Sequence, residues 1–232
     1  MSKKGKNYRR ALEKFDQARF YRLAEAVSLL KQMVYARFNE TVELVVRLGI
    51  DPRHSDQLVR GTVTLPHGTG KSVRVLAFCR LDLVEEALAA GADYAGGKDL
   101  VEKIKGGWVD FDVAVAAKDM MREISQLGKV LGPRGLMPSP KAGTVSDDVS
   151  QTIREVKAGK IEFKADKFGN IQIAVGKVSF TEKSLEENIF SVMKELIRLR
   201  PPAAKGRYIQ KAYISSTMSP AVRLDPLELG GT

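Results

Sequence analysis

The chain has 232 residues, 44% hydrophobic and 28% charged, which excludes wholesale disorder and allows one large domain or two small ones. Lysine and arginine number 38 against 28 aspartate and glutamate, and the net charge of +10 favours a polyanionic partner, nucleic acid or an anionic membrane face. A single cysteine, Cys79, excludes an internal disulfide, and with only His54 and His67 besides it no metal centre or other cofactor is expected.

In chain order, residues 8–14 and 23–34 are predicted helices; in the second, Leu23, Ala26, Val27, Leu30 and Val34 recur at helical spacing. Residues 40–50 alternate, with Val42, Leu44, Val46 and Leu48 on one face and Thr41, Glu43 and Arg47 on the other, as in a half-buried strand. Residues 59–65 form a second short strand ending at Pro66. From Gly68 the character changes, and 73–78 is a nearly continuous apolar run, as for a strand buried on both faces. A helix follows, with Asp82 as its cap, Val84, Ala87 and Leu88 on its buried side and Gly91 closing it. Residues 99–105 are another helix, 112–117 another apolar strand, and Asp119 starts a further helix. Strand, helix, strand, helix is the order of a small parallel α/β domain.

Residues 128–143 hold four glycines and three prolines and read as a long functional loop. Residues 145–158 are an amphipathic helix presenting Val149, Ile153 and Val156 and ended by Gly159. Strands at 161–165 and 170–180 flank a hairpin-like turn, Lys167-Phe168-Gly169-Asn170. A long helix at 185–199 is stopped by Pro201 and Pro202, and 208–215 is a last strand. Helix and strands, then hairpin, helix and strand, make the chain ends an α+β domain. No apolar run is long enough to span a membrane, the basic N-terminus leads into no apolar core of a secretory signal, and a reducing cytoplasm fits the cysteine usage.

The charge follows the same division. Residues 1–67 carry a net +6, residues 68–158 none, and residues 159–232 a net +4. The simplest account is one basic domain built from both ends of the chain with a neutral domain inserted between them.

No motif argues for an enzyme. Residues 68–72, Gly-Thr-Gly-Lys-Ser, resemble the end of a phosphate-binding loop, and a cytosolic nucleotide-binding protein using them is the rival reading. The full signature needs a glycine at Leu65 and a helix after Ser72, where a strand is predicted; a glycine-rich hinge is favoured. Cys79 ends an apolar run and reads as a buried structural thiol. The basic residues are more telling: Arg9, Arg10, Lys14 and Arg19 near the start, Lys160, Lys164, Lys167 and Lys177 around the predicted hairpin, and Lys205, Arg207 and Lys211 before the last strand. After that strand, Ser215, Ser216, Thr217, Met218 and Ser219 offer hydroxyls and a thioether that suit the sugar edge and surface of RNA, or an ordinary polar strand end. A DNA-binding architectural protein is a second rival.

Several segments together resemble the bacterial ribosomal protein L-one family. They are Phe38-Asn39-Glu40-Thr41-Val42-Glu43-Leu44, Leu48-Gly49-Ile50-Asp51-Pro52, Arg60-Gly61-Thr62-Val63 and Leu65-Pro66-His67-Gly68-Thr69-Gly70-Lys71. Leu131-Gly132-Pro133-Arg134-Gly135-Leu136-Met137-Pro138, Pro140-Lys141-Ala142-Gly143-Thr144, Lys157-Ala158-Gly159-Lys160 and Ser216-Thr217-Met218 continue it in order, nearly end to end. The resemblance implies an α+β discontinuous domain I, residues 1–67 and 159–232, with an inserted α/β (Rossmann-like) domain II, residues 68–158. It implies a protein of the large ribosomal subunit that binds the ribosomal RNA of the mobile side stalk, beside the exit site for deacylated tRNA. It further implies help with release of that tRNA and repression of its own operon through an mRNA site that mimics the rRNA. No membrane or small-molecule substrate is implied, and the protein is expected to be a monomer off the ribosome.

Carried over residue by residue, the resemblance assigns rRNA binding to Arg37, Phe38, Glu40, Thr41, Lys164, Ser216, Thr217, Met218 and Ser219. The stretches 37–41 and 216–219 are expected to adjoin on domain I and face the RNA. Arg134 and Lys141 are candidates for secondary RNA or tRNA contacts, and Pro66, Gly68, Gly70 and Gly159 for the hinge. Ser219 is a departure, since the family usually has glycine there; a positive φ at that point would strain serine.

Overall fold

The computed structural model describes residues 5–230, and the side chains of all of these except Ser55 and Lys141. Its elements, in chain order, are helices Lys6–Leu12 (α1) and Leu23–Met33 (α2), strands Thr41–Leu48 (β1), Arg60–Thr64 (β2) and Val75–Phe78 (β3), helix Val84–Ala89 (α3), strand Tyr94–Gly96 (β4), helix Lys98–Lys105 (α4) and strand Val113–Ala117 (β5). There follow helices Met121–Ile124 (α5) and Gly128–Leu131 (α6), strand Val145–Ser146 (β6), helix Val149–Lys157 (α7), strands Lys160–Lys164 (β7) and Asn170–Lys177 (β8), helix Glu182–Arg198 (α8), and strands Ile209–Ser216 (β9) and Val222–Leu224 (β10). The chain forms two compact units, one from its two ends, up to Gly70 and from Glu162 onward, and one from Lys71–Ile161. The crossings lie three residues beyond those expected from charge and composition.

The first unit is organised by the alternation in β1. Val42, Leu44, Val46 and Leu48 are buried, so one face of the strand needs cover and the other does not. β1 sits inside a four-stranded sheet of order β10-β9-β1-β8, antiparallel at each of its three pairings. Helices α2 and α8 pack on the buried face: α2 contributes Leu23, Ala26, Val27, Leu30 and Met33, and α8 contributes Leu185, Ile189, Val192, Met193 and Leu196. Thr181 caps α8 by accepting from the Ser184 N–H, and the helix ends before Pro201.

The second unit is built on the apolar runs. β3 is buried along its whole length, and it lies between β4 and β5 in a parallel sheet of order β4-β3-β5-β6. α7 packs against β3 and β5. Cys79, buried at the end of β3, has its thiol pushed up by burial and is inert packing material.

Several local expectations are corrected. Asp82 caps nothing, because a 3₁₀ turn over Leu81–Leu83 precedes α3, and Leu88 is exposed. The start of the expected 128–143 loop is helical: α5, a 3₁₀ turn and α6 run on with Ile124, Leu127 and Leu131 buried, so apolar spacing outweighs the low helix propensity of Gly128. α7 begins four residues later than expected, since Val145 and Ser146 pair with β5 and Asp148 caps the helix by accepting from the Gln151 N–H. β7 and β8 do not form a hairpin with one another; β7 pairs with β2 and β8 with β1. The short strands β4 and β10 were not anticipated.

The 68–72 segment runs toward β3, not into a helix, and the Lys71 ammonium is 2.8 Å from Asp112. The helix N-terminus that a nucleotide-binding loop needs is therefore missing there. Asp112 is one-quarter exposed. Hydrogen bonds from Lys71 Nζ (2.8 Å), the Arg74 N–H (3.1 Å) and Arg74 Nε (3.3 Å) hold its carboxyl down at about 2. A carboxyl depressed below its unfolded value of about 3.9 contributes stability above that pH and loses it as pH falls through the native value. Asp112→Asn is expected to lower stability at pH 7 by about 1–2 kcal/mol, with the gap from the parent closing between pH 4 and pH 2 in urea unfolding. A gap independent of pH would contradict the assignment.

Candidate nucleic-acid interface

Where β1 begins and β9 ends, two stretches far apart in sequence meet around one buried carboxyl group. Glu40 has no exposed surface. One of its oxygens accepts from the Ser216 hydroxyl (2.5 Å) and the Met218 N–H (3.0 Å), the other from the Ala36 N–H (3.4 Å). A buried polar group is tolerable only when partnered, and these donors come from both sides of the junction. The Thr41 N–H donates to the Thr217 hydroxyl (3.1 Å) and the Thr217 N–H returns a bond to the Thr41 carbonyl (3.1 Å), extending the β1–β9 ladder by one residue. Lys177 Nζ donates to the Thr41 hydroxyl (2.7 Å), tying in β8.

Further bonds fix the rim. The Tyr35 hydroxyl donates to the Met218 carbonyl (2.7 Å). Asn39 and Ser179 exchange two bonds, side chain to hydroxyl at 2.9 Å and backbone N–H to side chain at 3.2 Å. Ser219 accepts from the Ser216 N–H through its hydroxyl (2.9 Å) and returns its own N–H to the Ser216 carbonyl (3.2 Å), closing a turn. Outward from this scaffold stand Phe38, 54% exposed, Met218, 46% exposed, and the exposed Arg37 and Thr217. Beside them a cavity of about 820 Å³ is lined by Lys6, Tyr8, Tyr35, Thr217, Met218 and Ser219, among others. The arrangement offers hydroxyl, aromatic and cationic groups on a preformed edge, with the acidic group turned inward.

The structure thus brings Arg37, Phe38, Glu40, Thr41, Ser216, Thr217, Met218 and Ser219 together. The structure adds three particulars. Glu40 and Ser216 are buried and bonded to each other, so they hold the loop from behind. Ser219 is unstrained, because no non-glycine residue among the described residues has positive φ; its hydroxyl serves the turn. Lys164 is not part of this cluster: it is exposed on β7, beside the turn whose Gly169 carbonyl accepts from Leu48, at the opposite end of β1. Arg134 is exposed in the second unit, and the side chain of Lys141 lies outside the described residues.

The hinge residues also separate. Asn188, fully buried on α8, accepts from the His67 N–H (3.1 Å) and donates to the carbonyls of Gly68 (3.0 Å) and Val175 (2.7 Å). Residues 66–68 are therefore fastened to the first unit. Gly70 has φ +69°, and a Cβ there would lie 2.8 Å from Lys177 and 2.9 Å from Phe180, so glycine is required where the chain leaves. Gly159 follows α7 with φ +103°. Sequence reasoning missed Tyr35, Asn39, Ser179 and Asn188, whose partners lie more than 100 residues away except for one. The recurring polar residue beside each strand end was the available signal.

Comparison with known proteins agrees in direction. A family model described as the ribosomal protein L1p/L10e family matches residues 30–220. The chain is similar to the large ribosomal subunit protein uL1 of Chlamydia trachomatis serovar L2b (strain UCH-1/proctitis), 56% identical over 229 residues that cover 99% of each chain. It is similar to the uL1 protein of Thermobifida fusca (strain YX), 53% identical over 97% of this chain and 95% of that one, and of Chlorobaculum tepidum, 54% identical over 97% of each.

Two outcomes test the scaffold. Glu40→Ala strands the donors of Ser216, Met218 and Ala36, and is expected to cost about 2–4 kcal/mol in urea unfolding. Ser219→Gly is expected to bring no gain in stability and a loss of about 0.5–1 kcal/mol, since no positive φ is relieved and an acceptor is removed; a stabilised variant would show a strained serine.

Proposed function

The chain belongs to the L1p/L10e family of ribosomal proteins, and from that premise we propose that it is a structural, non-catalytic protein of the large ribosomal subunit in the cytoplasm, gripping folded ribosomal RNA with the unit made from its two ends. The observation that carries this reading is the exposed 217–219 loop and its neighbour Phe38, held in place from behind by Glu40. A surface already fixed before binding loses little entropy on contact, and hydroxyls at its edge suit the 2′-OH that distinguishes RNA from DNA. Lys6, which lines the cavity beside this edge, and the exposed Arg37 supply salt-dependent attraction to phosphates.

In this reading the RNA is the mobile side stalk beside the exit site for deacylated tRNA. The Lys71–Ile161 unit acts as an inserted α/β domain whose Arg134 and Lys141 make secondary contacts with RNA or tRNA. Gly70 and Gly159 give it freedom to pivot during tRNA release. The same loop binds a site in the protein's own operon mRNA, so that protein in excess of rRNA represses its own synthesis, by mass action at one shared surface. The unit of binding is the monomer.

The test is sedimentation of the full chain with large subunits stripped of their own copy by high salt. Wild type is expected to rebind at low salt; no rebinding rejects the reading. Thr217→Val removes the hydroxyl and is expected to weaken binding to deproteinised large-subunit rRNA by about 1–3 kcal/mol at fixed salt, while Thr217→Ser stays near wild type. Equal affinities for the two variants would remove the hydroxyl from the interface.

A further inference from the structure

At the far end of β1 from the 217–219 loop stands an aromatic ring that the fold does not use. Phe168 is 77% exposed, more than any other phenylalanine among the described residues. The backbone turn that carries it is nonetheless fixed. Asp166 Oδ1 accepts from the N–H groups of Phe168 (2.8 Å) and Asn170 (2.8 Å), and its Oδ2 accepts from the Asn170 side chain (3.0 Å). The Asp166 N–H donates to the Asn170 carbonyl (2.8 Å), and the Gly169 carbonyl accepts from Leu48 of β1 (2.8 Å). Gly169, at φ +77°, allows the turn to close against Leu48 and Ile50.

Lysines flank the turn: Lys167 precedes Phe168 in the chain and Lys164 ends β7. Lys164 and Lys167 are exposed and border a shallow cavity of about 430 Å³ with Pro52, Leu58 and Ala165 as its apolar part. Asp166 also borders it, with its carboxyl held below the usual range first by the Asn170 side chain and backbone, and also by the charge of Arg47. Its oxygens are taken up by the turn. One exposed ring and one half-exposed leucine among lysines are too little apolar surface for a stable protein contact, but they match a stacked base with phosphates on either side.

We propose that Phe168, with Lys164 and Lys167, is a second RNA contact that stacks one unpaired base while the lysines hold its phosphates. This rests on the RNA-binding reading above and adds to it a place and a base class, single-stranded or bulged. The two contacts are separated by the length of β1, seven steps of about 3.3 Å or roughly 23 Å. No single nucleotide reaches both, so the proposal requires one folded RNA that presents an unpaired base at that distance from the element held by the 217–219 loop.

The experiment measures equilibrium binding of the full-length chain to deproteinised large-subunit rRNA over a salt series. Phe168→Ser is expected to weaken binding about tenfold without altering the salt slope, and Phe168→Tyr to restore it. Lys164→Ala with Lys167→Ala is expected to weaken binding and to flatten the slope by roughly one to two. Thr217→Val is the control. If Thr217→Val weakens binding and Phe168→Ser does not, the stacking proposal is overturned and the RNA reading stands; if wild type itself does not bind, the RNA reading falls first. If Phe168→Ser binds bare rRNA normally yet enters large subunits poorly, the ring meets a protein neighbour and the proposal is likewise overturned. An unchanged urea midpoint for Phe168→Ser establishes that the variant folds.

Discussion

A carboxyl group without exposed surface, fed by donors from residues 36, 216 and 218, is the constraint on which the edge at residues 217–219 depends. Hydrogen bonds in a buried setting are worth more than at the surface, and leaving them unmade costs more still. Glu40 therefore has one acceptable arrangement, with the end of β9 wrapped over it. That arrangement turns Thr217 and Met218 outward and Glu40 inward. A group placed inside determines what the outside can recognise.

β1 carries this logic along its length. It is paired on both sides, with β8 and β9, in the sheet that α2 and α8 cover, and its two ends project different chemistry. One end offers hydroxyls, a thioether and Phe38; the other offers Phe168 and two lysines. Rigid spacing between contacts favours a folded partner of matching shape over a flexible strand. The unit Lys71–Ile161, by contrast, is organised around a parallel sheet whose central strand has no polar face, and its charges pair locally, as at Lys71, Arg74 and Asp112.

Much of this was legible in the residues. The alternation of Val42, Leu44, Val46 and Leu48 located β1 and its buried face, and the apolar runs at 73–78 and 112–117 marked the strands Val75–Phe78 and Val113–Ala117 of the second unit. Those signals are local, set by the period of side chains along a strand. What escaped was set by distant partners. β7 and β8 look like a hairpin from sequence, because the turn chemistry at 166–170 is genuine, yet each strand finds a better partner elsewhere. Glu40 looks like a surface acid until Ser216 closes over it, and residues 66–68 look like a free hinge until Asn188 holds them. The helical turns ending at Leu131 were hidden by glycines that packing overrode.

The pairing of β1 with β8 and β9 has a further consequence, for the order of synthesis. β1 emerges from the translating ribosome more than a hundred residues before either partner strand. The unit over Lys71–Ile161 is complete while the first strand of the other still waits, so the interior domain has its full set of contacts on a nascent chain and the terminal one does not. Contacts of such long sequence separation form slowly. Until β9 arrives, Glu40 has no lid and the edge at residues 217–219 does not exist: a truncated product carries positive charge but not that shape.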